Sequence, residues 1–238
     1  MNKKHKKTEK TSKDPKNQTF PVPYALETIK ENISILTNES RSPSKEEIIH
    51  QIFKFHSEGN MPEAAKYYQY FINQGFTDPI IFSNFGVLLN NLGKFVEAEE
   101  FQRKAIKLNP NLAEAHNHLG IILKHLGKLE EAEISLRNAI KIKPDSAEAH
   151  NNLGSILIDL GKLQEAEISQ RNALKINPNL AEAHNNLGTI LIRLGKLHEA
   201  EISQRDALKI NPNLAQANSN LGEILRELGY LEEAEKIL

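Results

Sequence analysis

The chain has no cysteine and no tryptophan, and only two methionines in 238 residues. Without cysteine there can be no disulfide, no thiolate metal site and no cysteine nucleophile. Aromatic residues make up 6% of the chain, too few to suggest a platform for stacking bases. The formal net charge is −1, so no global basic field draws nucleic acid, and nucleic acid is not an expected partner. No apolar run approaches the ~18 residues of a membrane span, and no apolar stretch follows the basic N-terminus as a secretory leader requires. The default expectation is a cytoplasmic protein. No phosphate-cradling or nucleophile-elbow motif occurs, so the chain is not expected to be an enzyme or to need a cofactor.

What the chain has is repetition. The stretch AEAHNNLG stands at 147–154 and again at 181–188, and AEAHNHLG at 113–120, each 34 residues after the last. In that register the units are 45–78, 79–112, 113–146, 147–180, 181–214 and a partial 215–238. Ten of the twelve glycines fall in pairs at unit positions 8 and 15, from Gly86/Gly93 to Gly222/Gly229. Proline recurs at position 32, as Pro110, Pro144, Pro178 and Pro212. The glycine at 15 ends an apolar-periodic run, where a helix C-terminus wants positive φ. The glycine at 8 sits mid-helix, where it costs about 1 kcal/mol of propensity, so close helix–helix approach is expected there. Alanine at position 20 is small for the same reason. The proline stops a second helix. Each unit is therefore expected to be helix A, a short turn and helix B.

These marks resemble the tetratricopeptide repeat. In unit 147–180 they are Leu153, Gly154, Ala166, Ala173 and Pro178. The resemblance implies an all-α, right-handed α-solenoid of helix-turn-helix repeats over 45–238. Three family aromatics are replaced. Position 4 holds His116, His150 and His184; position 11 holds leucine; position 24 holds Leu136, Gln170 and Gln204. Unit 45–78 is degenerate, with Gln51 and Ile52 in place of Leu-Gly, and is expected to cap the array.

Ahead of the repeats, residues 1–44 hold seven lysines in their first sixteen positions, against Glu9 and Asp14. They are expected to form a disordered basic tail, most simply a solubilising one, though such a tail could touch anionic lipid or RNA. The more apolar segment 20–37 is a candidate docking strap.

On a helical wheel, helix A positions 3, 7, 10, 11 and 14 form an apolar stripe, and 2, 5, 6, 9, 12 and 13 lie opposite. Tetratricopeptide arrays line their concave surface with helix A, so by resemblance the second stripe becomes a groove wall. Position 6 holds Asn84, His118, Asn152, Asn186 and Asn220, and position 5 holds Asn117, Asn151 and Asn185 between Ser83 and Ser219. A carboxamide offers one acceptor and two donors, enough to grip a peptide backbone regardless of its side chains. The pattern resembles the asparagine ladder of O-linked N-acetylglucosamine transferases, with His118 interrupting the run. Val87, Ile121, Ile158 and Ile192 give the stripe apolar patches. Glu114, Glu148 and Glu182 at position 2 argue against a carboxylate clamp. The expected partner is a protein or extended peptide, neutral to mildly basic.

Units 147–180 and 181–214 differ only at Ser155/Thr189, Asp159/Arg193, Gln164/His198 and Asn172/Asp206. The first two pairs fall in the groove stripe. The recurring histidines lie a full repeat apart, too far to share a metal with bonds of about 2 Å, so no metal site is expected. Glu133–Arg137, Glu167–Arg171 and Glu201–Arg205 are spaced as outward ion pairs on helix B. The last unit stops inside its second helix. That suggests either a fragment of a longer protein, such as the substrate-binding arm of a transferase, or self-association through an uncapped C-terminal edge.

Overall fold

A computed structural model describes residues 42–237, so the tail expected at 1–44 and its docking segment 20–37 lie almost wholly outside the described residues. Among the described residues there are twelve α-helices and no strand. They are α1 (Lys45–Ser57), α2 (Met61–Asn73), α3 (Pro79–Asn91), α4 (Phe95–Leu108), α5 (Ala113–His125), α6 (Leu129–Ile142), α7 (Ala147–Asp159), α8 (Leu163–Ile176), α9 (Ala181–Arg193), α10 (Leu197–Ile210), α11 (Ala215–Glu227) and α12 (Leu231–Ile237). Odd-numbered helices are the A helices of the six units and even-numbered ones the B helices, as the register predicts.

Glycine and proline do what their positions suggest. Gly161 turns the chain between α7 and α8 at φ +73°, in open space where only the backbone conformation demands glycine. Gly154 is different: a β-carbon there would strike the Gln170 side chain, with Cδ at 2.9 Å. The missing side chain lets α7 and α8 close on each other. Helices α4, α6, α8 and α10 end two residues before Pro110, Pro144, Pro178 and Pro212.

The predicted apolar stripe is core. Ala149, Leu153, Ile156 and Leu157 are buried, and Leu160 is partly so. Each A helix packs on its own B helix, those from α3 onward also pack on the B helix before them, and successive A helices from α3 to α11 touch one another. No two successive B helices meet as closely. A stack whose members touch more on one side curves toward that side, so the A helices form the inner layer and the B helices the outer one.

The first hairpin joins the array through aromatics. Tyr68 of α2 stacks on Phe85 of α3 at 5.1 Å between centroids, and Phe71 meets Phe82 edge-on at 6.5 Å. Buried His56 of α1 shares a 2.7 Å hydrogen bond with the Tyr68 hydroxyl. Burial alone lowers the His56 pKa from 6.5 to about 4, so the imidazole stays neutral. Ser44 and Glu47 form a reciprocal capping box at the start of α1.

Candidate functional site: the inner helical face

The inner face is held together by its own amides. Asn152 donates Nδ2 to Asn117 Oδ1 at 3.0 Å, Asn186 to Asn151 at 3.0 Å, and Asn220 to Asn185 at 3.1 Å. Position 6 of one unit is thus tied to position 5 of the unit before. Periodicity placed both asparagines on one face, but only packing reveals that the two belong to one bond. The doublet recurs because each rung needs a donor amide and an acceptor amide from neighbouring repeats.

His118 stands where a rung asparagine would. Its Nδ1 lies 3.4 Å from Ser83 Oγ, and Ser83 donates its only proton to Gln102 Oε1 at 3.0 Å. The hydroxyl must therefore accept, and His118 carries its proton on Nδ1. Burial lowers the His118 pKa, against the opposing pull of Glu148 and Glu114, which favours that neutral ring. The histidine and serine replace an asparagine pair together, so the run changes chemistry here and keeps its connection.

The ladder splits the predicted site by exposure. Asn84, Asn117, Asn185 and Asn220 are buried. Asn151, Asn152, Asn186, His118, Ile121, Ile158 and Ile192 are half-buried and keep one side toward solvent. Among the other residues of the stripe, Val87 is buried, while Glu148 accepts a 2.9 Å bond from Asn117 Nδ2 and Glu114 pairs with Lys143 at 3.3 Å. The two groove cations of the three central units are both engaged across repeats. Lys124 meets Ser155 Oγ at 2.6 Å and Asp159 at 3.0 Å, and Arg193 donates to the Ile158 carbonyl at 3.2 Å. Thr189 accepts from Asn220 at 3.1 Å. Both groove differences between the twin units are therefore used in contacts with a neighbouring repeat.

Sequence reasoning missed two devices. The histidines at position 4 place Nε2 3.0–3.1 Å from the carbonyls of Pro110, Pro144 and Pro178, closing the turn that leads into each A helix. The glutamines at position 24 reach across the hairpin to the backbone oxygen at position 5: Gln102 to Ser83 at 2.8 Å, Gln170 to Asn151 at 3.0 Å and Gln204 to Asn185 at 3.1 Å. Six-residue and nineteen-residue separations carry no helical period, so no wheel could show them. On the outer layer the predicted pairs within one helix exist, as at Arg137–Glu133, 2.8 Å. They also extend further, because Lys162 of the next unit reaches the same Glu133 at 2.8 Å and Arg137 reaches Glu165. No group of three or more metal-ligating side chains converges among the described residues. No described helix is long and apolar enough to cross a membrane.

Tandem helical hairpins stacked through a recurring register of small residues, with an inner face of half-exposed amides and isoleucines, define a protein-interaction scaffold. Tetratricopeptide-repeat family models match residues 81–112, 101–134, 145–213 and 215–238, and a model described as a TPR repeat matches 122–161. The chain belongs to the tetratricopeptide-repeat family. No curated protein matches it. Among solved structures it is similar to MamA, at 26% identity and TM-score 0.59, over 64% of this chain and 89% of that one. It is also similar to YrrB, described as a TPR protein with an unusual peptide-binding site, at 25% identity and TM-score 0.59, over 73% of this chain and 90% of that one. A thermophilic TPR protein of Thermus thermophilus shares the fold at 20% identity and TM-score 0.61, over 77% of this chain and all of that one.

Proposed function

We propose that the inner face binds an extended polypeptide segment along the A helices. The observation that carries this is the ladder itself. Asn152 and Asn186 each commit one amide proton to the previous repeat and retain a carbonyl oxygen and a second proton on the half-exposed side. A peptide backbone offers the complementary pair of groups at every residue. The bond to the neighbour holds each amide in one orientation, so little rotamer entropy is lost on binding. Between the rungs, half-buried Ile121, Ile158 and Ile192 receive apolar side chains. With Lys124 and Arg193 already engaged, the three central units present no free lysine or arginine on this face to demand an acidic ligand. The peptide-binding site ascribed to YrrB supports the same reading.

The test is a titration with peptides selected from a random library against the full chain. Changing Asn152→Ala and Asn186→Ala together should weaken the selected peptides about tenfold or more, at about 1 kcal/mol per lost bond. Circular dichroism would establish that the variant remains folded. Unchanged affinity in a folded double variant, or failure to select any peptide, would reject the reading.

A further inference from the structure

The outer layer carries a second surface. Because successive B helices stand apart, a pocket of about 380 Å³ opens between α4 and α6, and one of about 390 Å³ between α6 and α8. Their floors are apolar: Leu119 and Leu123 in the first, Leu153 and Leu157 in the second. At their lips stand Ile134 and Ile168, 62% and 61% exposed. Ile202 repeats that exposure one unit further on. Isolated exposed isoleucines are ordinary, but a row aligned with apolar pockets is a patch of the kind that marks interaction sites.

The charges around these pockets are unequal. Arg103 pairs with Glu131 across the first and Arg137 with Glu165 across the second, which neutralises both. Lys107 and Lys141 also line the two pockets, are exposed, and have no acidic partner among the described residues. Each apolar pocket therefore has one uncompensated positive charge at its edge. That combination fits an apolar side chain flanked by a carboxylate. The spacing selects the element that carries them. Packed helices stand about 8–10 Å apart, and slightly more where a layer splays. Seven residues of a helix rise about 10.5 Å, so one heptad spans one repeat.

We propose that the outer face is a docking site for an acidic amphipathic helix of a partner protein. Apolar residues one heptad apart enter the successive pockets, and neighbouring carboxylates meet Lys107 and Lys141. A second copy of this array fits less well, because it would bring the same lysines face to face. The surface lies on the layer opposite the asparagine ladder, so it stands or falls independently of peptide binding on the inner face.

The test is a fluorescence-anisotropy titration of the full chain with a labelled helical peptide of about 18 residues, carrying leucines at heptad spacing and glutamates beside them. A counterpart has lysine for every glutamate. The acidic peptide should bind at least about tenfold more tightly than the basic one. Ile134→Asp with Ile168→Asp should remove most of that affinity, and Lys107→Glu with Lys141→Glu should reverse the preference between the peptides. All four positions are exposed or at a pocket lip, so circular dichroism should show unchanged folding. The proposal is overturned if neither peptide binds, if both bind alike, or if the folded variants bind as the parent does. Dimerisation of the chain with concentration, abolished by Ile168→Asp, would make a second copy the occupant and would overturn it as well.

Discussion

At the scale of single residues, the position-24 glutamines show how one hydrogen bond can leave another atom stranded. Gln102 Oε1 receives the Ser83 hydroxyl. In units 147–180 and 181–214 asparagine replaces that serine, and Gln170 Oε1 and Gln204 Oε1 are buried without a partner. A buried orphan acceptor costs about 1–3 kcal/mol. Leu136 occupies the equivalent place in unit 113–146 and is fully buried there. Gln170→Leu should therefore stabilise the array by about 1 kcal/mol, the loss of the bond to Asn151 partly offsetting the gain. Urea denaturation would register this as a raised midpoint, and a lowered one would contradict the account. No helical period marks an orphaned glutamine from a satisfied one, because the deciding serine or asparagine lies nineteen residues away.

At the scale of helices, the asparagine rungs and the outer ion pairs join each repeat to the next. The rung at Asn152 requires a donor facing Asn117 Oδ1. Asn152→Ala removes the donor and should cost about 1 kcal/mol. Asn152→Asp should cost more, since a carboxylate offers only acceptors and would face an acceptor. The order of urea midpoints checks this, and a variant with aspartate as stable as the one with alanine would show that the rung carries no direction. On the outer layer, burial raises the Glu99, Glu133 and Glu167 carboxyls, but hydrogen bonds from the flanking lysine and arginine outweigh it and hold them below their ordinary value of 4.5. Their contribution is complete above that value and is lost as the pH falls through the lowered ones.

At the scale of the whole molecule, acid acts on the first hairpin through His56. Folded, His56 titrates at about 4 because it is buried; unfolded, it returns to 6.5. Between those values the unfolded chain takes up a proton that the folded one refuses. Stability from this group is therefore full above about 6.5 and declines as the pH drops to about 4, by about 3 kcal/mol at most. His118, also lowered by burial, adds in the same direction. Urea midpoints between about pH 7 and pH 4.5 should fall, and His56→Phe should flatten much of that slope. A slope that persists unchanged in the variant would place the sensitivity elsewhere. Because repeats in a solenoid contact only their neighbours, weakening the first hairpin should loosen α1 and α2 before the central units.

The sequence by itself determined the repeat length, the helix pairs, the turns and the buried stripe, because these follow from local rules: helical period, glycine at positive φ and proline after a helix. It also placed Asn117, Asn151 and Asn152 on a common face. Only the tertiary structure decided what those amides do. A rung joins residues 35 apart in different repeats, and burial depends on how closely successive A helices approach. The same stacking that draws the A helices together holds the B helices apart, and so opens the outer pockets, whose depth no single helix encodes.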